Sequence, residues 1–369
     1  MRQKPVILIT AVLALSLLAP AAAASSAGGA ADANQAACEY PIELTDATGE
    51  TITLEEPPES VVALQPSDAQ TVYEIGAEDR LDGLPYSPAT SGLDRGDRAD
   101  VSDGWQVNTE RVIDLDPDVV LAANITSEDD IETLRDAGLT VYHFEAANTI
   151  DDVRDNVVRT GELTGECAGA TETVDWMNEQ LEVVETAVED ADRPLAYYAM
   201  GEDGTTAGTD TFIHEVLATA DVENLAERAG ITFYQQLSSE TIVDEDPEWI
   251  IYPDDREEPP IPEGAEATTA YQNDNVVAVD ANQISQPAPQ VVYAVVDIVE
   301  AIHPDAYEAA SEGLEESGED GENDGDGETG GSSETDGDDS DDASESIPGF
   351  GAPAAVAALL GGTLLLRRR

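Results

Sequence analysis

Among side chains that do covalent chemistry, histidine and cysteine are scarce in this chain of 369 residues, at three and two. The three histidines stand apart, His143 within a predicted strand, His214 within a predicted helix and His303 near the end of the last helix. A resident metal needs histidine, cysteine or carboxylate ligands gathered at close spacing, and no histidine-rich loop supplies them. There is no G-x-S-x-G elbow, no H-E-x-x-H helix and no phosphate loop. Carboxylates number 80, so pairs at the spacing of a hydrolase occur by chance and carry no information. What remains is non-covalent chemistry. Gln65, Ser67, Tyr86, Trp105, Tyr234, Tyr252 and Gln286 fall in the strand-end regions of the predicted elements, and they combine aromatic faces with neutral hydrogen-bonding groups. Those residues suit the wall of a binding pocket. No catalysis, no resident cofactor and no metal are expected.

The elements that must carry these residues follow from the hydrophobic pattern. Pro41 to Leu44 and Thr51 to Leu54 alternate around Asp46-Ala-Thr-Gly49, a hairpin pattern. Val61-Val-Ala-Leu64, Val119-Val-Leu-Ala122 and Leu139 to Phe144 are short apolar strands with helices between them, the signature of parallel βα units. From Thr149 the chain turns helical, with Thr149 and Asp152 as a capping-box pair, and continues past Cys167 to about Asp190. Val174, Met177, Leu181, Val184 and Val188 make one apolar stripe there. A second βα series follows: Leu195 to Ala199, a loop over 201–208, a helix from Asp210 to Thr219, then Trp249 to Tyr252, Val276 to Val279 and a helix from Gln290 to Ile302. The expected architecture is two α/β lobes with mainly parallel sheets joined by a single long helix. Ligands in such folds sit outside the carboxyl ends of the strands, here in the groove between the lobes. Trp176 and Trp249, on a helix stripe and a strand, read as core.

Charge sets the environment. Against the 80 acids stand 15 basic residues, a formal net charge of −65, which excludes a nucleic-acid partner. The only lysine is Lys4, and the body from Ser25 to Ala310 carries ten arginines. Such density self-repels in dilute buffer, whereas molar salt shortens the Debye length to about 3 Å. The composition resembles that of halophilic archaea, and folding is expected to require high salt.

The two ends read as targeting segments. Residues 1–24 combine a basic start, an apolar run and small residues at a cleavage site, as in a secretory signal peptide. Cys38 and Cys167 are the only cysteines, and in a secreted chain an even pair is most simply a disulfide. A lipid-bearing Cys38 is the rival reading, but it follows Gln35-Ala-Ala and not a leucine-containing lipobox. Residues 311–346, made largely of Glu, Asp, Gly, Ser and Thr, read as a disordered acidic stalk. Pro348, Gly349 and Phe350, an apolar stretch and Arg367 to Arg369 then resemble the PGF sorting signal of haloarchaeal surface proteins. That resemblance implies removal of the tail by an archaeosortase and lipid attachment near the motif. Asn124-Ile-Thr126 is a lone glycosylation sequon.

Several segments, in order, resemble one family. Glu59-Ser-Val-Val-Ala-Leu-Gln-Pro-Ser67 with Tyr73-Glu-Ile-Gly-Ala-Glu-Asp-Arg80 is similar to the opening strand and helix of the substrate-binding proteins of ABC importers for cobalamin, iron siderophores and haem. Asn108-Thr-Glu-Arg-Val-Ile-Asp-Leu-Asp-Pro-Asp118, Thr206-Ala-Gly-Thr-Asp-Thr-Phe212, Gln236-Leu-Ser-Ser-Glu240 with Asp246-Pro, and Ser285-Gln-Pro-Ala-Pro289 continue the series. The resemblance implies a rigid clamp, a monomer, that hands its ligand to a permease with a cytoplasmic ATPase. It also implies that Glu110 and Glu240, one on each lobe, dock into permease arginines.

The implied layout is a signal peptide (1–24), an extension with hairpin (25–57), an N-terminal lobe (58–148), a helical segment with the bridging helix (149–191), a C-terminal lobe (192–310), the stalk (311–346) and the sorting signal (347–369). Signal peptidase and archaeosortase would process the chain, and it would sit on the outer membrane face. Among ligands, polyanionic catecholates would need converging arginines, with only Arg80, Arg95, Arg98 and Arg256 in loop regions. A neutral or weakly charged chelate such as cobalamin or a hydroxamate suits the site better, and cobalamin is the ligand expected from the resemblance, with an iron chelate or haem as the alternative. Trp105 and Tyr234 lie near positions where cobalamin binders carry tryptophan, although the acidic loop from Tyr86 to Gly104 lacks their proline-rich pattern. A free-metal binder, a surface adhesion module and an anchored hydrolase are the remaining classes.

Overall fold

The computed structural model describes residues 38–321, with side chains to 314. The signal peptide read at 1–24, the stalk beyond 321 and the Pro348, Gly349, Phe350 signal with its tail lie outside the described residues. Among the described residues no helix is long and apolar enough to cross a membrane.

The chain opens with the antiparallel hairpin β1 (Ile42–Thr45) and β2 (Thr51–Leu54). Then come β3 (Val61–Ala63), α1 (Pro66–Glu74), β4 (Leu81–Leu84), β5 (Ala99–Asp100), the small antiparallel pair β6 (Ser102–Asp103) and β7 (Gln106–Val107), α2 (Thr109–Leu115), β8 (Val119–Ala122), α3 (Glu128–Asp136) and β9 (Val141–His143). Their sheet is parallel in the order β5-β4-β3-β8-β9. Because successive side chains point to opposite faces, Val61 and Ala63 enter one core while Val62 enters another. A strand buried on both sides shows no polar alternation, which is why it reads as a short apolar run.

Next are α4 (Ile150–Thr164) and α5 (Cys167–Val188). The capping box at Thr149 and Asp152 is present. The helical run breaks at Gly165, whose left-handed φ of 79° caps α4. At Gly161 an added Cβ would lie 2.5 Å from the Ala170 Cβ, so the absence of a side chain lets α4 and α5 pack closely. Gly169 has the same role against α1, its missing Cβ position being 1.9 Å from the Ile75 carbonyl oxygen. With 22 residues, α5 is about 33 Å long at about 1.5 Å per residue. Met177 and Val184 of the predicted stripe are fully buried, with Val174, Leu181 and Val188 packed beside them. Trp176 packs on the same core and stacks against Tyr293 with ring centroids 5.0 Å apart.

The second half contains β10 (Leu195–Tyr198), β11 (Thr205–Ala207), α6 (Phe212–Thr219), β12 (Glu223–Asn224), α7 (Leu225–Arg228), β13 (Tyr234–Gln236), α8 (Ser239–Glu245), β14 (Trp249–Pro253), α9 (Thr269–Gln272), β15 (Val276–Val279), α10 (Ala281–Ser285), α11 (Val291–Ile302) and α12 (Pro304–Gly321). A parallel sheet runs β12-β10-β14-β15. The predicted loop over 201–208 instead contains β11, paired antiparallel with β13, and α6, predicted from Asp210, begins at Phe212 with Thr211 as its cap. One apolar cluster is continuous from Val61 and Val119 through Met177 and Val184 to Tyr198, Ile251 and Val295. The lobes are thus fused along α5 and α11.

Two side-chain bonds reinforce that fusion at the end of α1. Gln290 Nε2 donates to Glu74 Oε1 at 2.7 Å, and Thr173 Oγ1 donates to the Glu74 carbonyl at 3.1 Å. The sequence reading of residues 311–346 as disordered stalk needs correction at its start. Helix α12 carries the chain to Gly321 because Ala306, Tyr307, Ala310 and Leu314 lie against the main core.

The N-terminal extension is fastened at two points. Cys38 and Cys167 form a disulfide across 129 residues of sequence, and Tyr40 Oη donates to the Glu162 carbonyl at 2.8 Å. The hairpin turn is held by Asp46, whose buried carboxylate pairs with Arg135 and accepts the His143 backbone N–H. Burial raises that carboxyl, but the bonds from Thr48, His143 and Arg135 outweigh it and hold the pKa below the ordinary value.

Candidate functional site

At the carboxyl ends of the N-lobe strands and the loop after β15 lies a cavity of about 370 Å³. Leu64, Gln65, Pro66 and Ser67 form its floor at the β3–α1 junction. One side is Pro85, Ser87, Pro88 and Ala89, and the rim is Ser102, Gly104, Trp105, Gln106 and Val107. Ile125, after β8, also lines the cavity, and Asn282, Ser285, Gln286 and Pro287 contribute from the second lobe. The lining of a protein with net charge −65 therefore contains no charged residue at all.

Each wall has a local cause. The β3–α1 turn is pinned by the buried carboxyl of Asp68, which accepts the N–H groups of Gln65 at 3.2 Å and of Ala123 at 3.0 Å. Burial drives this carboxyl up to about 7, against the opposing pull of those two N–H groups. Gln65 Nε2 donates to the Thr126 hydroxyl at 3.2 Å, tying the floor to the segment after β8. Thr126 is the hydroxyl of the predicted sequon, and it is buried. Asp100 fixes the opposite wall, accepting from the Tyr86 N–H at 3.1 Å and the Ser102 hydroxyl at 2.6 Å. Burial raises its carboxyl too, but the Ser102 and Tyr86 bonds and the nearby Arg111 outweigh it, and its pKa lies below the ordinary value. Trp105 follows Gly104, whose φ of 67° turns the chain between β6 and β7. Its side chain is 94% exposed, an aromatic face held over the cavity with almost no protein contact.

Of the seven predicted wall residues, the structure brings Gln65, Ser67, Trp105 and Gln286 together. The other three are elsewhere. Tyr86 packs against the core, donates its hydroxyl to the Arg98 carbonyl at 2.6 Å and carries the Arg95 guanidinium 4.5 Å from its ring centre. Tyr252 lies in the core of the second lobe, only 7% exposed. Tyr234, on β13, is half-exposed beside the exposed Phe233 but does not line this cavity. Trp249, read as core, packs there. Sequence reasoning missed Pro85, Pro88, Ala89, Gln106, Ile125, Asn282 and Ser285. The Pro85-Tyr-Ser-Pro88 segment was a usable signal, since paired prolines build a stiff loop wall.

The loop arginines are committed to structure. Arg80 donates to the Pro58 carbonyl, Arg95 to those of Thr90 and Ser87, and Arg98 to those of Asp94 and Glu78. Arg256 has its nearest carboxylate, Asp255, at 3.6 Å and lines a separate acidic groove with Glu202, Asp203 and Glu258. Among the described residues no group of three or more His, Cys, Asp or Glu could hold a metal ion.

The lobes also repeat one external device. Glu110 and Glu240 are exposed and occupy the second position of seven-residue helices, α2 and α8. Asn108 and Ser238 cap these helices by accepting the N–H of Arg111 and of Thr241. Each ends at a left-handed aspartate, Asp116 with φ 49° and Asp246 with φ 47°, followed by proline. Acids at a helix N-terminus are favoured by its partial positive charge, so both carboxylates are presented outward on rigid mounts.

Two α/β lobes fused by a long helix, with a neutral cleft between them, are the architecture of a solute-binding protein. Comparison with known proteins agrees. The sequence matches the periplasmic binding protein family over residues 61–283, and the chain belongs to that family. A cobalamin-binding protein of Halobacterium salinarum is 40% identical over 380 aligned positions, covering 98% of each chain. The periplasmic vitamin B12-binding protein of Vibrio cholerae superposes with a TM-score of 0.58 at 20% identity, over 69% of this chain and 98% of that one. The periplasmic haem-binding protein of a Roseiflexus species gives 0.59 at 19% identity, over 68% and 99%. At such identities the two structures establish the fold and leave the ligand to the site.

Proposed function

We propose that this chain is the extracellular substrate-binding subunit of an ABC importer, capturing cobalamin in the inter-lobe cleft and delivering it to a membrane permease driven by a cytoplasmic ATPase. The observation that carries the ligand is the wall itself: neutral amides and hydroxyls, proline and aliphatic surface, and one projecting indole. A corrin offers a broad apolar face ringed by carboxamides, and such a wall meets both parts without a buried charge. Haem or a catecholate chelate has less support, because no lining residue is a cation for its carboxylates or phenolates, and none is a histidine, tyrosine, cysteine or methionine to ligate iron. The full-length similarity to a relative named for cobalamin binding points the same way.

Delivery rests on Glu110 and Glu240, which we assign as the two docking carboxylates for permease arginines. The protein works as a monomer without catalysis. It is exported by the leader at 1–24, cut by signal peptidase, and held at the outer membrane face through the 347–369 signal after archaeosortase processing. Its working parts are the lobes at 58–148 and 192–310 with the helical segment 149–191. Uptake of labelled cyanocobalamin by cells deleted for this chain provides the test. Restoring the wild-type gene should restore uptake, and Glu110→Arg with Glu240→Arg should bind ligand normally yet fail to restore it. Full uptake with the double variant would refute the docking assignment, and undiminished uptake in the deleted cells would refute the import role.

A further inference from the structure

Five polar side chains on the cavity wall, Ser67, Ser87, Gln106, Asn282 and Gln286, make no hydrogen bond within the protein. The Gln286 carbonyl oxygen and the Ser87 hydroxyl are both shielded from solvent and without a partner. A carboxamide both donates and accepts, so this wall is complementary to other carboxamides. An ionised carboxylate only accepts, and it leaves water at high cost unless a cation or several donors meet it. No cation meets it here: Arg95 and Arg98 serve loop carbonyls, and Arg111 donates to the Asp100 carbonyl at 2.8 Å.

We propose that the cavity selects its cargo by amidation state, accepting a neutral macrocycle whose rim carries primary carboxamides and rejecting the same ring with free carboxylates. The proposal rests on the corrinoid reading above and adds a specificity to it. The reaction supplying this cargo must therefore be one that converts ring carboxylates to amides before capture. Gln286 is a specificity-determining residue, since it offers the cavity an unpartnered neutral amide and no charge.

The test compares three corrinoids on the full-length chain in molar KCl, where a Debye length of about 3 Å removes general repulsion. They are dicyanocobinamide, with its amides; the heptamethyl ester of cobyrinic acid, neutral but without N–H donors; and the free heptaacid. The ester should bind about tenfold more weakly than the amide, from loss of hydrogen bonding, and the acid about 100-fold more weakly, from burial of unpaired charge. Gln286→Leu should weaken the amide about tenfold and the ester less, since the ester can accept from Gln286 but cannot donate to it. Gln286→Arg should narrow the gap between amide and acid at least about tenfold. Binding of the acid within threefold of the amide, or an equal effect of the Gln286 variants on all three probes, overturns the proposal while leaving cobalamin capture intact. Failure of both cyanocobalamin and dicyanocobinamide to bind a sample that unfolds cooperatively in the same buffer overturns the corrinoid reading, and this proposal with it.

Discussion

Asp68 holds the cavity floor at a cost that pH controls. Its carboxyl is buried, and burial raises its pKa from 3.8 to about 7. The folded value lies above the unfolded one, so the stability contributed by protonated Asp68 is fully present below about pH 4 and is lost as pH rises towards and through 7. The gap between the two values, at about 1.4 kcal/mol per pH unit, corresponds to about 4 kcal/mol. Asp68→Asn replaces the ionised group by a neutral one of the same shape. A single oxygen of Asp68 accepts both N–H groups, from Gln65 and Ala123, and the Asn carbonyl can take over both. Allowing about 1 kcal/mol for weaker hydrogen bonds, the variant should be more stable than wild type by about 3 kcal/mol at pH 8. At pH 5, where the unfolded carboxyl is already ionised, the same linkage leaves the variant ahead by less than about 1 kcal/mol. Thermal unfolding in molar KCl between pH 5 and 8 measures this as a difference between two proteins. At about 2–4 °C per kcal/mol for a large domain, the two Tm curves should separate by several degrees at the alkaline end. Parallel curves, or a variant less stable throughout, would refute the reasoning.

Trp105→Ala should leave Tm within about 1–2 °C, because an almost fully exposed side chain adds little to stability, while weakening cobalamin binding about 30-fold in a calorimetric titration, as expected for a binding energy near 2 kcal/mol. Replacing Cys38 and Cys167 together by serine frees a loop closed over 129 residues and should lower the urea-unfolding free energy by about 3–5 kcal/mol; a loss under about 1 kcal/mol would contradict a structural role. Asp46→Asn strands the Arg135 charge and should destabilise by about 3 kcal/mol at pH 7. Because the pKa of Asp46 is depressed on folding, that difference should shrink as the pH falls through its folded value, visible as converging unfolding curves in acid.

The parts of the fold written in local pattern were legible. The apolar runs at Val61 and Val119, the Thr149 capping box and the stripe through Met177 all report on neighbours in sequence, and the structure contains each as an element. Elements of two or three residues, such as β11 and β12, were not legible, because their existence depends on partners some 30 residues away. The start of the stalk misled for a related reason. Its composition cannot make a core of its own, but α12 borrows one through Tyr307 and Ala310.

The site was half legible. Gln65 and Ser67 sit at a strand-to-helix junction, where position is decided locally, whereas Asn282 and Ser285 reach the cavity across more than 200 residues of sequence. Tyr252 illustrates the opposite error. It lies on a parallel strand buried on both faces, where nothing in the pattern separates a core tyrosine from a pocket tyrosine.

Calorimetric titration of the full-length chain with cyanocobalamin, in molar KCl and alongside haem and ferric hydroxamate and catecholate chelates, tests the central claim most directly. Capture in a single neutral cleft predicts saturable binding of cyanocobalamin at one site per chain, and no comparable binding of haem or the catecholate. Saturable binding of an anionic chelate, with cyanocobalamin silent on the same folded sample, would contradict it.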